Sequence, residues 1–549
     1  MAVASEESAT PARSSGRASA GQAGVGQPQW RPRFNPWLIA LVVTLASFME
    51  VLDTSIANVA LPHIAGNLSA SEDEATWVLT SYLVSNAIVL PLSGWLSLLM
   101  GRKRFYMACV AVFTLSSFCC GIAPSLGALV FFRVLQGIGG GGLQPSEQAI
   151  LADTFLPSQR GMAFAIYGIA VVTAPAIGPT LGGWITDNFD WRWIFFINIP
   201  VGLLSLFLTN FMVDDPPYFI KERGERKARG LRVDYWGIIF IAIGLGFLQI
   251  LLDKGERDDW WASDFIRTCA VLSAAGLIFA IYWELKQRDP VVDLSLLKDR
   301  NFAVAGGLMF MLGIVLLGST VLIPQFVQLV LGYSATDAGM VLSPGGLLVM
   351  AMLPFVGLAL GKIESRWIIA AGLVVTSGAL IHMTTFNVEM DYKYVVLARC
   401  YQAAGLALLF VPINTAAYAF VPRNKNNAAS GLINLARNVG GSVGISLVTT
   451  ILARRAQFHQ ARLVETATAL NPAFNRAVQA AGGVFGRGAH GAIAGSNGPY
   501  ALVMRRLEQQ ASTLSYIDCF YLLGIAFAAM IPLVFVMKKS QPGRGMGAH

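Results

Sequence analysis

Between residues 36 and 537 the chain alternates long apolar runs with short polar breaks. A run of roughly 18 to 25 apolar residues is what a helix needs to cross a hydrocarbon layer, where every backbone polar group must be satisfied internally. Such runs fall at 36–61, 76–99, 105–123, 126–150, 162–185, 193–212, 235–252, 267–286, 302–323, 339–360, 367–386, 394–420, 430–452 and 516–537. The pattern predicts an all-α integral membrane protein with 14 transmembrane helices, and an even number puts both termini on one side. Arg102 to Arg104, Arg160, the cluster from Lys221 to Arg232, Lys286 to Arg300, Lys362, Arg366, Arg423, Lys425, Lys538 and Lys539 share one face. The positive-inside rule makes that face cytoplasmic.

Composition agrees with this reading. The chain of 549 residues is 55% hydrophobic and only 13% charged, whereas soluble domains carry about a quarter charged residues. The net charge of +8 sits in short loops beside the spans, so it reports topology and not nucleic-acid binding. The six cysteines lie in or beside apolar runs, which indicates neither a disulfide framework nor a zinc site. No phosphate-binding loop, metal cluster or nucleophile triad is visible, so neither a cofactor nor an enzymatic activity is expected.

The domain organisation follows. Residues 1–34, rich in Ser, Ala, Gly and Gln, read as a disordered cytoplasmic tail. A first six-helix bundle covers 35–212, a basic cytoplasmic linker 213–234, two inserted helices 235–288, a second six-helix bundle 289–537 and a short tail 538–549. The second bundle contains a long external loop, 453–515, with helix-like stretches at Arg462 to Leu470 and Met504 to Thr513 around the glycine-rich Gly482 to Gly498. That loop is either a docking surface for a partner or a solvated insertion.

Polar residues inside apolar runs carry the candidate chemistry. Arg133 stands in Leu129-Val-Phe-Phe-Arg133-Val-Leu-Gln136-Gly137, where a full charge is costly unless something compensates it. A helical rise of 1.5 Å per residue puts Arg133 roughly 10 Å below the external surface and Asp53, in the first span, roughly 12 Å below it. An ion pair at matched depth would let protonation of Asp53 release Arg133, with Glu50 one turn away to share the proton. Ala174, Gly178 and Gly182 recur every four residues and predict a close helix seam. Glu147 lies near the cytoplasmic end of its span, where a carboxylate can snorkel to water. Ser430, Asn434, Arg437 and Asn438 form a polar stripe, either cavity lining or interhelical glue.

An internal repeat strengthens the picture: Arg133-x-x-Gln136-Gly137 is echoed by Arg399-x-x-Gln402-x-x-Gly405, and the glycine ladder of span five by Gly440, Gly441 and Gly444. Duplicated halves around a central site are a transporter design. Arg399 lacks an obvious carboxylate partner in span nine and is expected to be structural. A loosely selective, apolar and aromatic cavity would draw on Phe48, Asn58, Trp77, Tyr82, Gln136, Glu147, Met309, Phe310, Gln325, Phe326, Gln328, Asn434 and Arg437.

Four stretches carry a family resemblance: Leu52-Asp53-Thr-Ser-Ile-Ala-Asn58-Val-Ala-Leu-Pro62, the Arg133 motif, Gly178-Pro179-x-x-Gly182-Gly183, and Trp191-Arg-Trp-Ile-Phe-Phe-Ile-Asn198-Ile-Pro200. Together they resemble the fourteen-span drug:proton antiporter branch of the major facilitator superfamily. The resemblance implies proton-driven efflux of hydrophobic small-molecule drugs, a conformational role for Gly178, Pro179, Gly182 and Gly183, and a bacterial inner membrane location. It also implies a periplasmic membrane-fusion adaptor and an outer-membrane channel as partners. An exporter or importer of one metabolite, and a non-transporting scaffold or sensor, remain as alternatives. One departure stands out: Leu98 occupies the place of the loop aspartate in the family's Gly-x-x-x-Asp-x-x-Gly-Arg-Lys pattern, which would leave Arg102 to Arg104 as simple anchors.

Overall fold

The computed structural model describes residues 32–156, 158–228, 234–287, 290–422, 425–468, 470–488 and 498–539. The tail at 1–31, most of the glycine-rich stretch and the last ten residues lie outside them. Among the described residues there are helices and turns but no strand.

The first bundle consists of α1 (Pro36–Asn67), α2 (Asp73–Met100), α3 (Arg102–Gly121), α4 (Leu126–Thr154), α5 (Arg160–Asn188) and α6 (Trp193–Met212). The inserted pair is α7 (Tyr235–Lys254) and α8 (Asp264–Lys286). The second bundle consists of α9 (Arg300–Val330), α10 (Asp337–Ala359), α11 (Ser365–Thr385), α12 (Tyr392–Ala417), α13 (Asn426–Thr466) and α14 (Gly498–Phe535). Among the described residues thirteen helices are individually long and apolar enough to cross a membrane, and α5, bent by 45° just after Pro175, makes the fourteenth when its two parts are taken as one span. The chain is thus a multi-pass membrane protein.

Missing side chains set the tightest seams. A Cβ on Gly178 would sit 2.4 Å from the Ser55 hydroxyl, and one on Gly182 would lie 3.2 Å from Ile56 Cα, so α5 presses on α1 along the predicted ladder. Gly183 faces away from it, with open space where its Cβ would be. The second bundle repeats the device more severely. A Cβ on Gly440 would meet the Phe310 carbonyl oxygen at 2.1 Å, and one on Gly444 the Ile314 carbonyl at 2.5 Å, which draws α13 against α9. The run Gly139 to Gly142 performs a similar service: a Cβ on Gly139 would strike the Phe113 amide at 2.6 Å, and one on Gly141 the Asn86 carbonyl at 2.7 Å.

At the end that carries the termini the bundles are locked together. A Cβ on Gly94 of α2 would be 2.9 Å from Ala428 Cα of α13, and one on Gly161 3.1 Å from the Gly357 carbonyl. Asn426 donates to Asp153 at 2.8 Å, and the Asn427 amide meets the Ser97 hydroxyl. Arg102 is no loose anchor, contrary to the expectation drawn from Leu98. It is buried and ion-paired with Asp153, with the Phe219 ring 4.6 Å below its guanidinium. Asp153 therefore supplies a charge partner at this end that the loop pattern did not reveal.

The long loop between the last two spans is largely helical among its described residues. α13 continues unbroken for 41 residues, a helix at Pro472–Gly488 follows, and α14 begins at Gly498. Beyond the apolar run, Asp518 accepts from Arg455 at 2.9 Å and lies 2.8 Å from the His459 ring, tying α13 to α14. The linker before α7 likewise contains a helix, Pro217–Ala228.

Candidate functional site

The Asp53 carboxylate and the Arg133 guanidinium meet in the first bundle at 2.6 Å, both almost wholly buried. Burial of charge is costly unless lone pairs and protons are satisfied, and a cage of polar groups satisfies the pair here except at Arg133 Nη2, which has no hydrogen-bond partner. Asp53 accepts from Gln136 at 3.0 Å and from Asn198 at 2.7 Å, while Asn198 also donates to Ser117 at 3.0 Å. Arg133 donates from Nε to the Val78 carbonyl at 3.0 Å and from Nη1 to Gln136 at 2.8 Å. Its guanidinium lies 4.4 Å from the centre of the Tyr82 ring, which adds a cation–π contact.

Tyr82 carries the cluster inward. Its hydroxyl donates to Glu50 at 3.2 Å, Asn86 donates to the same oxygen at 3.2 Å, and Gln144 donates to the other at 2.6 Å. The Gln144 carbonyl accepts from Tyr167 at 3.1 Å and from Arg437 of the second bundle, and Arg437 also reaches the Tyr167 hydroxyl at 3.3 Å. One turn along α4, the Gln148 carbonyl gathers Tyr418 at 3.1 Å, Ser430 at 3.0 Å and Asn434 at 2.9 Å, all three from the second bundle. An uninterrupted polar path thus runs from the Asp53–Arg133 pair through Tyr82, Glu50 and Gln144 into the helix that seals the bundles together.

Comparison with known proteins agrees with this architecture. A profile of the Major Facilitator Superfamily matches residues 43–445. The chain belongs to the major facilitator superfamily. It is 37% identical over 516 residues to the "Fatty acid resistance protein FarB" of Neisseria gonorrhoeae, covering 93% of this chain and 97% of that protein. It is 35% identical over 518 residues to the "Multidrug export protein EmrB" of Escherichia coli (strain K12), covering 93% and 98%. Among solved structures, the human organic anion transporter MFSD10 superposes with a TM-score of 0.58 at 13% identity, covering 91% of this chain and 100% of that one, which speaks for the fold alone.

Within this facilitator fold the expected site residues separate into groups. Asp53, Arg133 and Gln136 come together, but Gln136 belongs to the carboxylate's cage and presents no surface to cargo. Glu50 has its own partners, Tyr82, Asn86 and Gln144, and the Tyr82 side chain stands between it and the Asp53–Arg133 pair, its hydroxyl on Glu50 and its ring against Arg133. Glu147 does not snorkel. It is fully buried and accepts from Thr44 at 2.5 Å, because α1 lies over it and closes the route to water. Asn434 and Arg437 both cross the seam to the first bundle.

The remaining cavity candidates scatter. Asn58 is exposed near the far end of α1, and Gln325 and Gln328 lie at the far end of α9, half-buried and exposed respectively. Met309 and Phe326 are core residues of the second bundle, while Phe48 and Phe310 pack half-buried against helix neighbours. Trp77 lies 5.2 Å beneath the Lys254 ammonium, against the inserted pair. The residues that sequence reasoning missed are Asn86, Gln144, Tyr167, Gln148, Asn198 and Tyr418. Asn198 stood within a quoted motif, but its direction around the helix, which decides that it faces Asp53, is not a property of spacing.

Proposed function

We propose that this chain is a proton-driven multidrug efflux transporter, a secondary antiporter that exports hydrophobic toxic compounds. The observation that carries the reading is the buried Asp53–Arg133 pair, whose guanidinium lies against the Tyr82 ring, with hydrogen bonds leading on from the Tyr82 hydroxyl through Glu50 and Gln144 to Arg437 across the seam. A proton arriving from outside neutralises Asp53 and removes the charge that holds Arg133. The guanidinium shifts towards the Tyr82 face, and the change passes through Glu50 and Gln144 to the contacts that lock the termini-bearing end. Cargo that rearranges the same contacts is coupled to the proton by reciprocity. The printed names of the relatives, a fatty acid resistance protein and a multidrug export protein, fit an apolar cargo.

In this reading both termini are cytoplasmic and the membrane is the bacterial inner membrane. The extension of α13, the helix at Pro472–Gly488 and the start of α14 form an external platform. This platform is where a periplasmic membrane-fusion adaptor, leading to an outer-membrane channel, would dock. The deciding experiment is substrate-induced proton release in proteoliposomes. Wild-type protein releases protons on addition of cargo and Asp53→Asn does not; full substrate-dependent exchange in the variant would remove Asp53 from the coupling.

A further inference from the structure

We propose that Arg399 and Gln402 form a second anion site, which takes the carboxylate of an amphipathic organic acid at the seam between the bundles. The second bundle repeats the arginine cluster of the first with one part missing. Arg399 Nη1 donates to Gln402 Oε1 at 2.6 Å, as Arg133 Nη1 donates to Gln136 Oε1 at 2.8 Å. Where Arg133 Nη1 then meets the Asp53 carboxylate, Arg399 Nη1 meets only the Ser319 hydroxyl, at 3.3 Å. In the first bundle Gln136 Nε2 donates to Asp53 and Arg133 Nε to a backbone carbonyl. In the second, the buried Gln402 Nε2 and Arg399 Nε have no hydrogen-bond partner. A guanidinium 7% exposed, beside an amide that also lacks an acceptor, is a costly arrangement unless an anion completes it.

The surroundings describe that anion. Arg399 lines a cleft with Val172 and Pro175 of α5, Leu316 of α9, and Leu342 and Val349 of α10. Apart from Arg399 and Thr320 the side chains lining the cleft are apolar, so the charged head must carry an apolar body. In this conformation the cleft is nearly closed, so an apolar body seats there only as the walls from α5, α9 and α10 part. Arg399 lies seven residues inside α12, roughly 10 Å below the external surface and level with Arg133. Because α5 contributes one wall, an occupant touches both bundles and biases their relative tilt.

The inference rests on the efflux reading only for the direction in which the acid travels; binding itself needs no proton gradient. The test is equilibrium binding of decanoate to the full-length protein in nanodiscs, with decanol and sodium chloride as controls. Decanoate binds the wild type while decanol and chloride do not displace it, and affinity falls about tenfold or more in Arg399→Gln. Ser319→Asp installs an internal carboxylate next to Arg399, rebuilding the first bundle's pairing, and abolishes decanoate binding while keeping the arginine. If Arg399→Gln fails to fold, Ser319→Asp decides alone. Equal decanoate binding in wild type and Ser319→Asp overturns the proposal, and displacement by chloride at matched ionic strength reassigns the site to a simple inorganic anion. Either failure leaves the proton-release result for Asp53→Asn standing, and the converse also holds.

Discussion

Two arginines at matched depth, one in each bundle, face opposite circumstances. Arg133 is fastened to Asp53, with Gln136 and Asn198 completing the carboxylate's shell. Arg399 keeps the glutamine neighbour but has a serine in place of the aspartate. The contrast teaches that duplication preserved a scaffold while the carboxylate, the group that can gain or lose a proton, was kept on one side only. On the proposed reading, a symmetric pair would give two proton sites, whereas this arrangement gives one, with the second guanidinium left for an anion.

The largest effect tests that asymmetry in stability. Arg133→Ala leaves the Asp53 carboxylate buried without a cation and should cost about 3–5 kcal/mol, whereas Arg399→Ala strands no opposite charge and should cost much less. Thermal unfolding of the purified variants checks it, and equal losses would erase the distinction. Pairing Arg133→Gln with Asp53→Asn should recover most of the stability but none of the proton release, since no titrating carboxylate remains in the cage.

A second comparison concerns the helix seams. Gly440→Ala drives a methyl into the Phe310 backbone carbonyl, which cannot move aside, and should cost about 1–3 kcal/mol. Gly178→Ala meets the Ser55 hydroxyl, which can rotate, and should be milder. The order of melting temperatures would reverse if the first bundle's seam were the tighter one. Smaller still, Tyr82→Phe removes one hydrogen bond to Glu50 but keeps the ring under Arg133, a loss of about 1 kcal/mol. Transport should slow about fivefold, with the protein's melting temperature little changed. The smallest effect belongs to Lys425→Ala, just before α13, where the 2.6 Å pair with Asp293 ahead of α9 is partly exposed. It should shift stability by less than about 1 kcal/mol, and less at high salt.

Much of this was legible in the sequence for a physical reason. A helix advances 1.5 Å per residue, so depth can be read directly, and Asp53 and Arg133 could be placed at one level before any coordinates. Gly178 and Gly182 were likewise readable as a seam from their four-residue spacing. Azimuth and long-range pairing were not. Nothing local says that Gln144 meets Arg437, nearly three hundred residues away, or that Asp153 supplies the partner of Arg102. Residue type alone groups Gln325 and Gln328 with the cavity; the structure puts them at the far end of α9, half-buried and exposed respectively. Glu147 was assigned a route to water by its position in the span, and the overlying α1 removes that route.

The length of α13 has a mechanical consequence. At 41 residues it measures roughly 60 Å, about twice the hydrocarbon thickness, and one rigid rod carries Asn434 and Arg437 at its base and the Asp518 clasp near its top. Such a rod is a lever: a few degrees of tilt at the fulcrum sweep its outer tip through several ångströms. A partner docked there, as the proposed function has it, would feel each turnover and could in turn brake it.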